Sequence, residues 1–243
     1  MNLKSTNIKL LLGAIYLLLM ASALLYLVMN YKISDFFSYE FIKLNRELIL
    51  GYKEQNFILL NTIFFIFSIV WVLLLGPAMP LLLFAGFVFG KWWGFIIVIT
   101  STTIGATVLY ILVNIFFRDF IINKLSSKFM KLKIFFKKNE LIYFICFRFV
   151  GGGGTPHGIQ NILPVLFDMS LKNYVIATFI GSVPSMFVSV ALGSGIERVI
   201  DQNVSINFLT VFLSPEIYIP IIGFSIILIA AFILKKFYFK NNN

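Results

Sequence analysis

Long apolar segments separated by short polar ones run along the whole 243-residue chain. The uncharged apolar segments cover residues 10–29, 57–75, 92–117, 173–196 and 217–234, with shorter apolar pieces at 80–90 and 141–167. A helix of about 20 residues, rising about 1.5 Å per residue, crosses a hydrocarbon core of about 30 Å. The pattern therefore predicts an all-α integral membrane protein.

Two of the apolar regions contain helix-breaking residues. Pro77 and Pro80 interrupt the first region, and the run Gly151, Gly152, Gly153, Gly154 followed by Thr155 and Pro156 interrupts the second. Proline cannot donate a helical N–H, and each glycine costs about 1 kcal/mol of helix stability relative to alanine. We predict that residues 57–90 and 141–170 form helical hairpins rather than straight spans.

The distribution of basic residues predicts the topology. The segment 118–140 is strongly basic and should be cytoplasmic, as should the tail with Lys235, Lys236 and Lys240, whereas the loops 30–56 and 197–216 have no such excess. The predicted cytoplasmic and external segments are consistent with one another only if each hairpin returns to the membrane face from which it entered. The result is about four transmembrane helices (10–29, 92–117, 173–196 and 217–234) and two opposed re-entrant hairpins forming an inverted repeat, with both termini cytoplasmic.

This topology divides the chain into three parts. Residues 1–56 form a transmembrane anchor and an external loop, residues 57–196 form the core, and residues 197–243 form an external loop, a transmembrane helix and a basic tail. Ala21-Ser22-Ala23 has the form of a signal-peptidase site. We predict a retained anchor because apolar sequence continues beyond it, and cleavage is the alternative.

Composition agrees with a membrane protein and narrows the chemistry. Hydrophobic residues make up 60% of the chain and charged residues 12%, and the mean hydropathy is +0.95. The net charge of +10 is explained by cytoplasmic loops and anionic headgroups, so we predict no nucleic-acid partner. One cysteine and one histidine predict neither a disulfide framework nor a metal site, and no cofactor is expected.

The basic segment also contains a helical pattern. Apolar residues at helical spacing alternate with lysines between residues 120 and 136, which predicts an amphipathic helix lying on anionic lipid. An ordinary cytoplasmic connector is the alternative. The apolar positions are Ile121, Leu125, Phe129, Leu132 and Phe136.

Arg148 is the strongest candidate for a functional residue. An arginine at the centre of a membrane helix costs about 2.5–3.5 kcal/mol on insertion, so it is usually paired or functional. Its planar guanidinium could hold a lipid phosphate through two hydrogen bonds. The structural alternative is an ion pair with Asp168, or hydrogen bonds to carbonyls freed by the glycine run.

Its neighbours have functional and structural interpretations of their own. The amides of Gly151 to Gly154 could bind an anion before a helix that starts at Pro156, or the run is a plain tight turn. His157 could titrate or donate to phosphate, or be structural. We expect Asn161, with Gln160, to satisfy carbonyls of the opposing hairpin. Asp168 is a partner of Arg148, a proton-carrying acid or a solvated hairpin end.

Two blocks of residues form a recognisable pattern. The first is the stretch 75–90, followed by Gly94 and Gly105-Ala106. The second contains Arg148-Phe149, Pro156, Asn161, Ser170, Tyr174, then Gly181 with Pro184, and Leu192-Gly193-Ser194. Together the blocks resemble the DedA-like superfamily, also called VTT-domain or SNARE-associated Golgi proteins. The resemblance implies movement of lipids between leaflets, either polyprenyl phosphate or phospholipid.

The chain departs from the proton-coupled members of that superfamily in two places. Residues 79–84 contain no acidic residue, and no second arginine follows the proline-glycine break. The chain therefore resembles the branch that lacks the acidic residue, and proton coupling is not supported.

These observations predict a lipid translocase of the bacterial inner membrane, with no enzymatic activity. Its partners are lipids with anionic or phosphate headgroups, and self-association is left open. Arg148 and the glycine-run amides would neutralise the headgroup. The alternatives are a scaffold for envelope assembly that moves nothing, and an ion-coupled solute transporter using Asp168 and His157.

Overall fold

The computed structural model of the chain describes residues 39–125 and 130–201 continuously, and only separate helical positions between residues 11 and 29 and between residues 215 and 226. We number the helices within the continuous ranges. They are α1 (Tyr39–Gln55), α2 (Phe57–Leu73), α3 (Ala78–Phe89), α4 (Lys91–Phe116), α5 (Arg118–Leu125), α6 (Met130–Lys138), α7 (Glu140–Phe149), α8 (His157–Leu166) and α9 (Leu171–Asp201). A short 3-10 helix, Gly151–Gly154, joins α7 to α8. Within these ranges there is no strand, in agreement with the predicted all-α class.

Two of the helices are long and apolar enough to cross a membrane. They are Lys91–Phe116 and Leu171–Arg198, and they correspond to the predicted spans 92–117 and 173–196. A third span would require counting α1 and α2 together, although the chain bends by 109° between them. The other two predicted spans, 10–29 and 217–234, lie largely outside the described residues.

The first apolar region turns back on itself. Near its start, Asn61 accepts a 2.7 Å hydrogen bond from the indole of Trp93, which follows its end. Between these points α2 and α3 meet through aromatic side chains, with the Phe64 ring 5.8 Å from the Phe84 ring and 5.3 Å from the Phe89 ring. The turn lies at Leu75, which has a φ of 58°, and α3 begins directly after Pro77. Pro77 thus lies between the end of α2 and the start of α3, whereas Pro80 lies inside the first turn of α3.

The second apolar region has the same design. Glu140, at its start, accepts hydrogen bonds from the backbone N–H and the hydroxyl of Ser170 and from the side chain of Asn173, at its end. The helices α7 and α8 between these points are each 10 residues long. Pro156 immediately precedes α8, as Pro77 precedes α3. Each region therefore consists of two helices with a break between them, as the predicted hairpins require.

Small residues let the hairpins touch the two long helices backbone to backbone. A Cβ on Gly86 of α3 would lie 1.9 Å from the carbonyl oxygen of Val190 on α9. A Cβ on Gly105 of α4 would lie 3.0 Å from the carbonyl oxygen of Ile69 on α2. Helices in lipid associate through such close packing because lipid tails are as apolar as the side chains.

The segments predicted as external loops are partly helical. Residues 30–56 include α1, and residues 197–216 begin within α9. The two are joined by an ion pair in which a guanidinium nitrogen of Arg46 lies 2.6 Å from a carboxylate oxygen of Glu197. Balanced charge made these segments resemble solvated loops, but it is equally compatible with a helix lying along the protein surface.

The amphipathic helix predicted over residues 120–136 falls on two described helices and on the residues between them. Two helices, α5 and α6, flank residues 126–129, which lie outside the described residues together with the side chains of Leu125, Phe129 and Leu132. Phe136 is buried against protein rather than facing lipid, with its ring 4.6 Å from that of Phe167. Phe136 of α6 therefore packs against the base of the second hairpin.

Close packing at Gly86 gives a direct test of this fold. In Gly86→Ala the added methyl group would overlap the Val190 carbonyl, so α3 and α9 must separate at a cost of about 1–3 kcal/mol. We expect a lower midpoint of thermal unfolding in detergent. The matched control is Gly51→Ala, because nothing lies within 4 Å of a Cβ at Gly51 and alanine is the better helix former. Equal midpoints for the two variants would contradict the packing of α3 on α9.

Candidate functional site

The side chain of Arg148 is buried in the middle of the described protein. It lies in the last turn of α7 and is 2% exposed. Its Nη2 donates to Oδ1 of Asn161, and its Nη1 lies 3.4 Å from Oε1 of Gln160. The guanidinium carbon also lies 5.0 Å from the centre of the Phe144 ring. The arginine is therefore surrounded by neutral amides and an aromatic ring.

No carboxylate among the described residues pairs with Arg148, so the structural alternative of an ion pair with Asp168 does not hold. Asp168 lies at the base of the hairpin, where one carboxylate oxygen is 2.8 Å from Arg118 and the other is 2.9 Å from Lys133. Burial alone would raise the pKa of Asp168, but the hydrogen bonds and charges of Lys133 and Arg118 outweigh it and lower the pKa. Asp168 is an ionised structural partner of the basic segment.

The glycine run forms a left-handed turn. Gly151, Gly152, Gly153 and Gly154 all have positive φ, of 66°, 73°, 60° and 81°. Left-handed helical backbone costs an L-residue with a side chain roughly 1–2 kcal/mol at each position, so the run requires glycine throughout. Apart from the buried Gly152, these glycines are exposed at the tip of the hairpin. The tight-turn interpretation describes this geometry, and anion binding by the glycine amides stays a prediction.

Gln160 connects the turn to the arginine. Its amide nitrogen donates to the carbonyl oxygens of Gly151, at 3.0 Å, and of Thr155, at 2.7 Å, while its oxygen faces Arg148. We had expected Gln160 and Asn161 to bond the opposing hairpin, and this is wrong. Both act within their own hairpin, because the left-handed turn directs the first turn of α8 back toward the end of α7.

The long helix α9 contributes a polar stripe to the same cluster. Tyr174, Thr178 and Ser182 follow one another at four-residue spacing, and each is at most 3% exposed. The Tyr174 hydroxyl lies 3.2 Å from the carbonyl oxygen of Ala106 and 3.3 Å from that of Asn161. Tyr174 also interacts electrostatically with both Arg148 and Thr178. These residues and Gln160 were not among the predicted site residues, although the spacing on α9 was visible in the sequence.

Three buried polar atoms in this cluster, Nε of Arg148, Nδ2 of Asn161 and Oγ1 of Thr178, form no hydrogen bond of good geometry. The Arg148 and Thr178 side chains nevertheless lie close enough to the Tyr174 hydroxyl to interact with it. The first two can only donate, and a hydroxyl can donate as well. Unsatisfied buried polar groups cost about 1–3 kcal/mol each, and more when charged. The cluster therefore has spare donors for an acceptor that carries negative charge.

The sequence comparisons agree with this architecture. Residues 76–195, which run from just after the Leu75 turn through α4 and the second hairpin into most of α9, match the profile of the VTT domain. The chain contains a VTT domain. This finding confirms the resemblance described above, while the assignment to a branch without the acidic residue stays a prediction.

Two relatives carry the same name. The "Transmembrane protein 41 homolog" of Caenorhabditis elegans is 25% identical over 194 residues, which cover 76% of this chain and 73% of the nematode protein. The protein of that name from Dictyostelium discoideum is 28% identical over 170 residues, or 68% of this chain. The match spans about half of the Dictyostelium protein, at 49%. No solved structure matches the chain.

Two further predicted site residues, Pro156 and His157, lie near Arg148 but take no part in the side-chain hydrogen bonds described above. Pro156 is exposed at the tip, and His157 is partly buried at the start of α8. Among the described residues no group of histidine, cysteine or carboxylate side chains could hold a metal ion. The cluster therefore offers hydrogen-bond donors and one positive charge.

The interaction between Asn161 and Arg148 can be tested by a double-mutant cycle. Asn161→Leu should destabilise the protein by about 2–3 kcal/mol, because it removes the closest acceptor of a buried charge. In an Arg148→Met background the same change should cost much less. The measurement is unfolding in detergent of the two single variants and the double variant. Additive effects would show that the two side chains do not depend on each other.

The ion pairs of Asp168 predict a pH dependence. Its lowered pKa means that they stabilise the protein above the ordinary carboxyl pKa of 3.8, and that this stability is lost as the pH falls through the lower folded value. Asp168→Asn should therefore unfold at a lower temperature than wild type at neutral pH, and at the same temperature in strong acid. Exposed Glu54→Gln is the control and should match wild type at both pH values. A stability difference that persists in acid would contradict the ionic origin.

Proposed function

We propose that this protein moves lipids with a phosphate headgroup, phospholipid or polyprenyl phosphate, between the leaflets of a membrane. The observation that carries the proposal is the buried Arg148 without a carboxylate partner among the described residues, next to the spare donors of Asn161 and Thr178. A buried charge without an ionic partner is costly, and a ligand that carries negative charge would offset this cost. Phosphate oxygens accept charged hydrogen bonds from guanidinium groups with suitable geometry.

The membrane topology is part of this proposal. Helices of 10 residues, such as α7 and α8, are roughly 15 Å long, or about half the hydrocarbon core. This length supports a hairpin that enters and leaves on one side. The two hairpins share a proline directly before the second helix, at Pro77 and Pro156, and a residue of positive φ after it, at Gly90 and Asp168. These shared features support an inverted repeat.

The sides of the membrane are proposed from charge. The ion-paired basic residues Arg118 and Lys133 lie at the base of the second hairpin, which supports a cytoplasmic position for α5 and α6. Our proposal has four spans, cytoplasmic termini and a bacterial inner membrane, with membrane lipids as partners and self-association left open.

The headgroup would reach Arg148 only after a conformational change. The arginine is almost fully buried, and the tips of the two hairpins touch, since the Leu75 side chain lies 3.1 Å from the Cβ position of Gly158. Separation of the tips would open a path to the cluster. In such a cycle the protein makes no covalent bond, and the amides and guanidinium replace headgroup hydration.

Asp168 does not support the alternative of an ion-coupled solute transporter. Its carboxylate is held by Arg118 and Lys133 at the hairpin base rather than facing the buried cluster. A proton-carrying role would require this acid to exchange protons with the buried path.

The test is reconstitution of the wild type, Arg148→Met and Arg198→Met into vesicles with fluorescent lipid. A membrane-impermeant quencher then reports how quickly labelled lipid of the inner leaflet becomes accessible. Loss of a charged hydrogen bond of ~2 kcal/mol should slow Arg148→Met roughly 30-fold. Methionine fills the site without a charge, so folding should be retained. Arg198 is exposed near the end of α9 and serves as the control, which should match wild type.

Two results would contradict the proposal. Wild-type protein that moves neither phospholipid nor polyprenyl-phosphate reporters is not a translocase. If wild type and Arg148→Met move lipid equally quickly, headgroup recognition does not depend on this arginine.

A further inference from the structure

An apolar cavity lies within the first hairpin and shares no lining residue with the proposed headgroup site. The cavity has a volume of about 460 Å³ and lies between α2 and α3, with Ile49 of α1 and Gly193 and Ile196 of α9 completing its described lining. No described lining residue carries a charge. Pockets for small ligands typically have volumes of roughly 300–1,000 Å³ and mostly apolar walls.

The cavity is open on the side that faces away from the protein. Two of its lining residues on α2, Ile63 and Phe67, are 52% and 48% exposed. They continue into an exposed apolar surface that includes Ile66 and Val70. In a membrane protein such a surface contacts lipid tails, so the cavity is accessible from the hydrocarbon region.

The shape of the cavity fits a chain within one leaflet. Its lining on α2 extends from Leu60 to Trp71, a distance of roughly 16 Å at the helical rise, or about half of the hydrocarbon core. The end at Trp71 lies near the hairpin tip. The other end lies near α1, because Leu60 is in the first turn of α2, which directly follows α1, and α1 contributes Ile49 to the lining.

A charged pair stands at the α1 end of the cavity. Arg46 lies one helical turn before Ile49, and Glu197 directly follows Ile196. Their side chains are 20% and 27% exposed, so they remain partly accessible while they join α1 to α9. An apolar cavity of one-leaflet depth with opposite charges at one end matches an amphiphile with a polar head and a hydrocarbon chain.

We propose that this cavity binds one hydrocarbon chain of a membrane lipid, with the lipid headgroup at the level of Arg46 and Glu197. The site adds a chain-binding function to the headgroup function proposed for Arg148. Binding here can be measured without lipid movement, so the two proposals fail separately.

The experiment uses the full chain in vesicles of phosphatidylethanolamine and phosphatidylglycerol that contain a phosphatidylcholine with a diazirine in one acyl chain. After illumination, lipid adducts are mapped by mass spectrometry. We expect adducts on buried lining residues, such as Phe64 and Leu81, in addition to those on outward-facing residues.

A matched pair of variants separates the cavity from the general lipid surface. Ile63→Trp should fill the cavity and lower adduct formation at Phe64 and Leu81 severalfold. Ile66→Trp makes the same change at a residue that is 56% exposed but does not line the cavity, and should leave those adducts unchanged. Leu60→Trp repeats the cavity-filling test at another lining position if Ile63→Trp does not fold.

Two outcomes overturn the inference. Adducts confined to outward-facing residues would mean that another part of the chain or a second copy covers the cavity. An equal loss in Ile63→Trp and Ile66→Trp would mean that the adducts report general contact with lipid.

Discussion

Two helical hairpins that turn inside an apolar bundle leave backbone carbonyls that need partners there. Without water, an unsatisfied backbone group costs several kcal/mol, so irregular backbone persists only where protein groups satisfy it. At the first tip the Trp71 indole donates to the Pro77 carbonyl, and at the second Gln160 donates to the carbonyls of Gly151 and Thr155. The polar side chains near the tips follow from this constraint, and the Gln160 amide that satisfies the second tip also faces Arg148.

Close backbone packing strengthens the interactions of the Arg148 charge with its neighbours, because it keeps water away from the guanidinium. A Cβ on Gly181 of α9 would lie 2.7 Å from the Arg148 Cβ and 2.8 Å from the Ile145 carbonyl oxygen. The same contact that joins the second hairpin to α9 therefore excludes water from the arginine. Interactions between charges and dipoles are stronger in such a dry site than in water. Fold and recognition thus depend on the same contact.

The sequence predicted features that arise from local chemistry. Proline and glycine marked the hairpin turns, and the two long helices followed from apolar length. The partner of Asp168 and the role of Gln160 could not be predicted, because they depend on which helix faces which. The left-handed glycine turn fixes that choice for Gln160. The helix α1 was missed because its balanced charges resembled those of a loop.

The polar cluster and the apolar cavity meet at the hairpin tips, and this arrangement suits an amphiphile better than a small solute. Trp71, at the inner end of the cavity, is about one turn from Leu75, and Leu75 contacts Gly158, two residues before Gln160. In the proposed mechanism a headgroup that leaves the level of Arg46 travels about one leaflet depth before it can meet Arg148. Its chain can remain among apolar side chains along that path. The contact between Leu75 and Gly158 would then close the path until the tips separate, and Arg148 would lower the cost of bringing the headgroup between the separated tips.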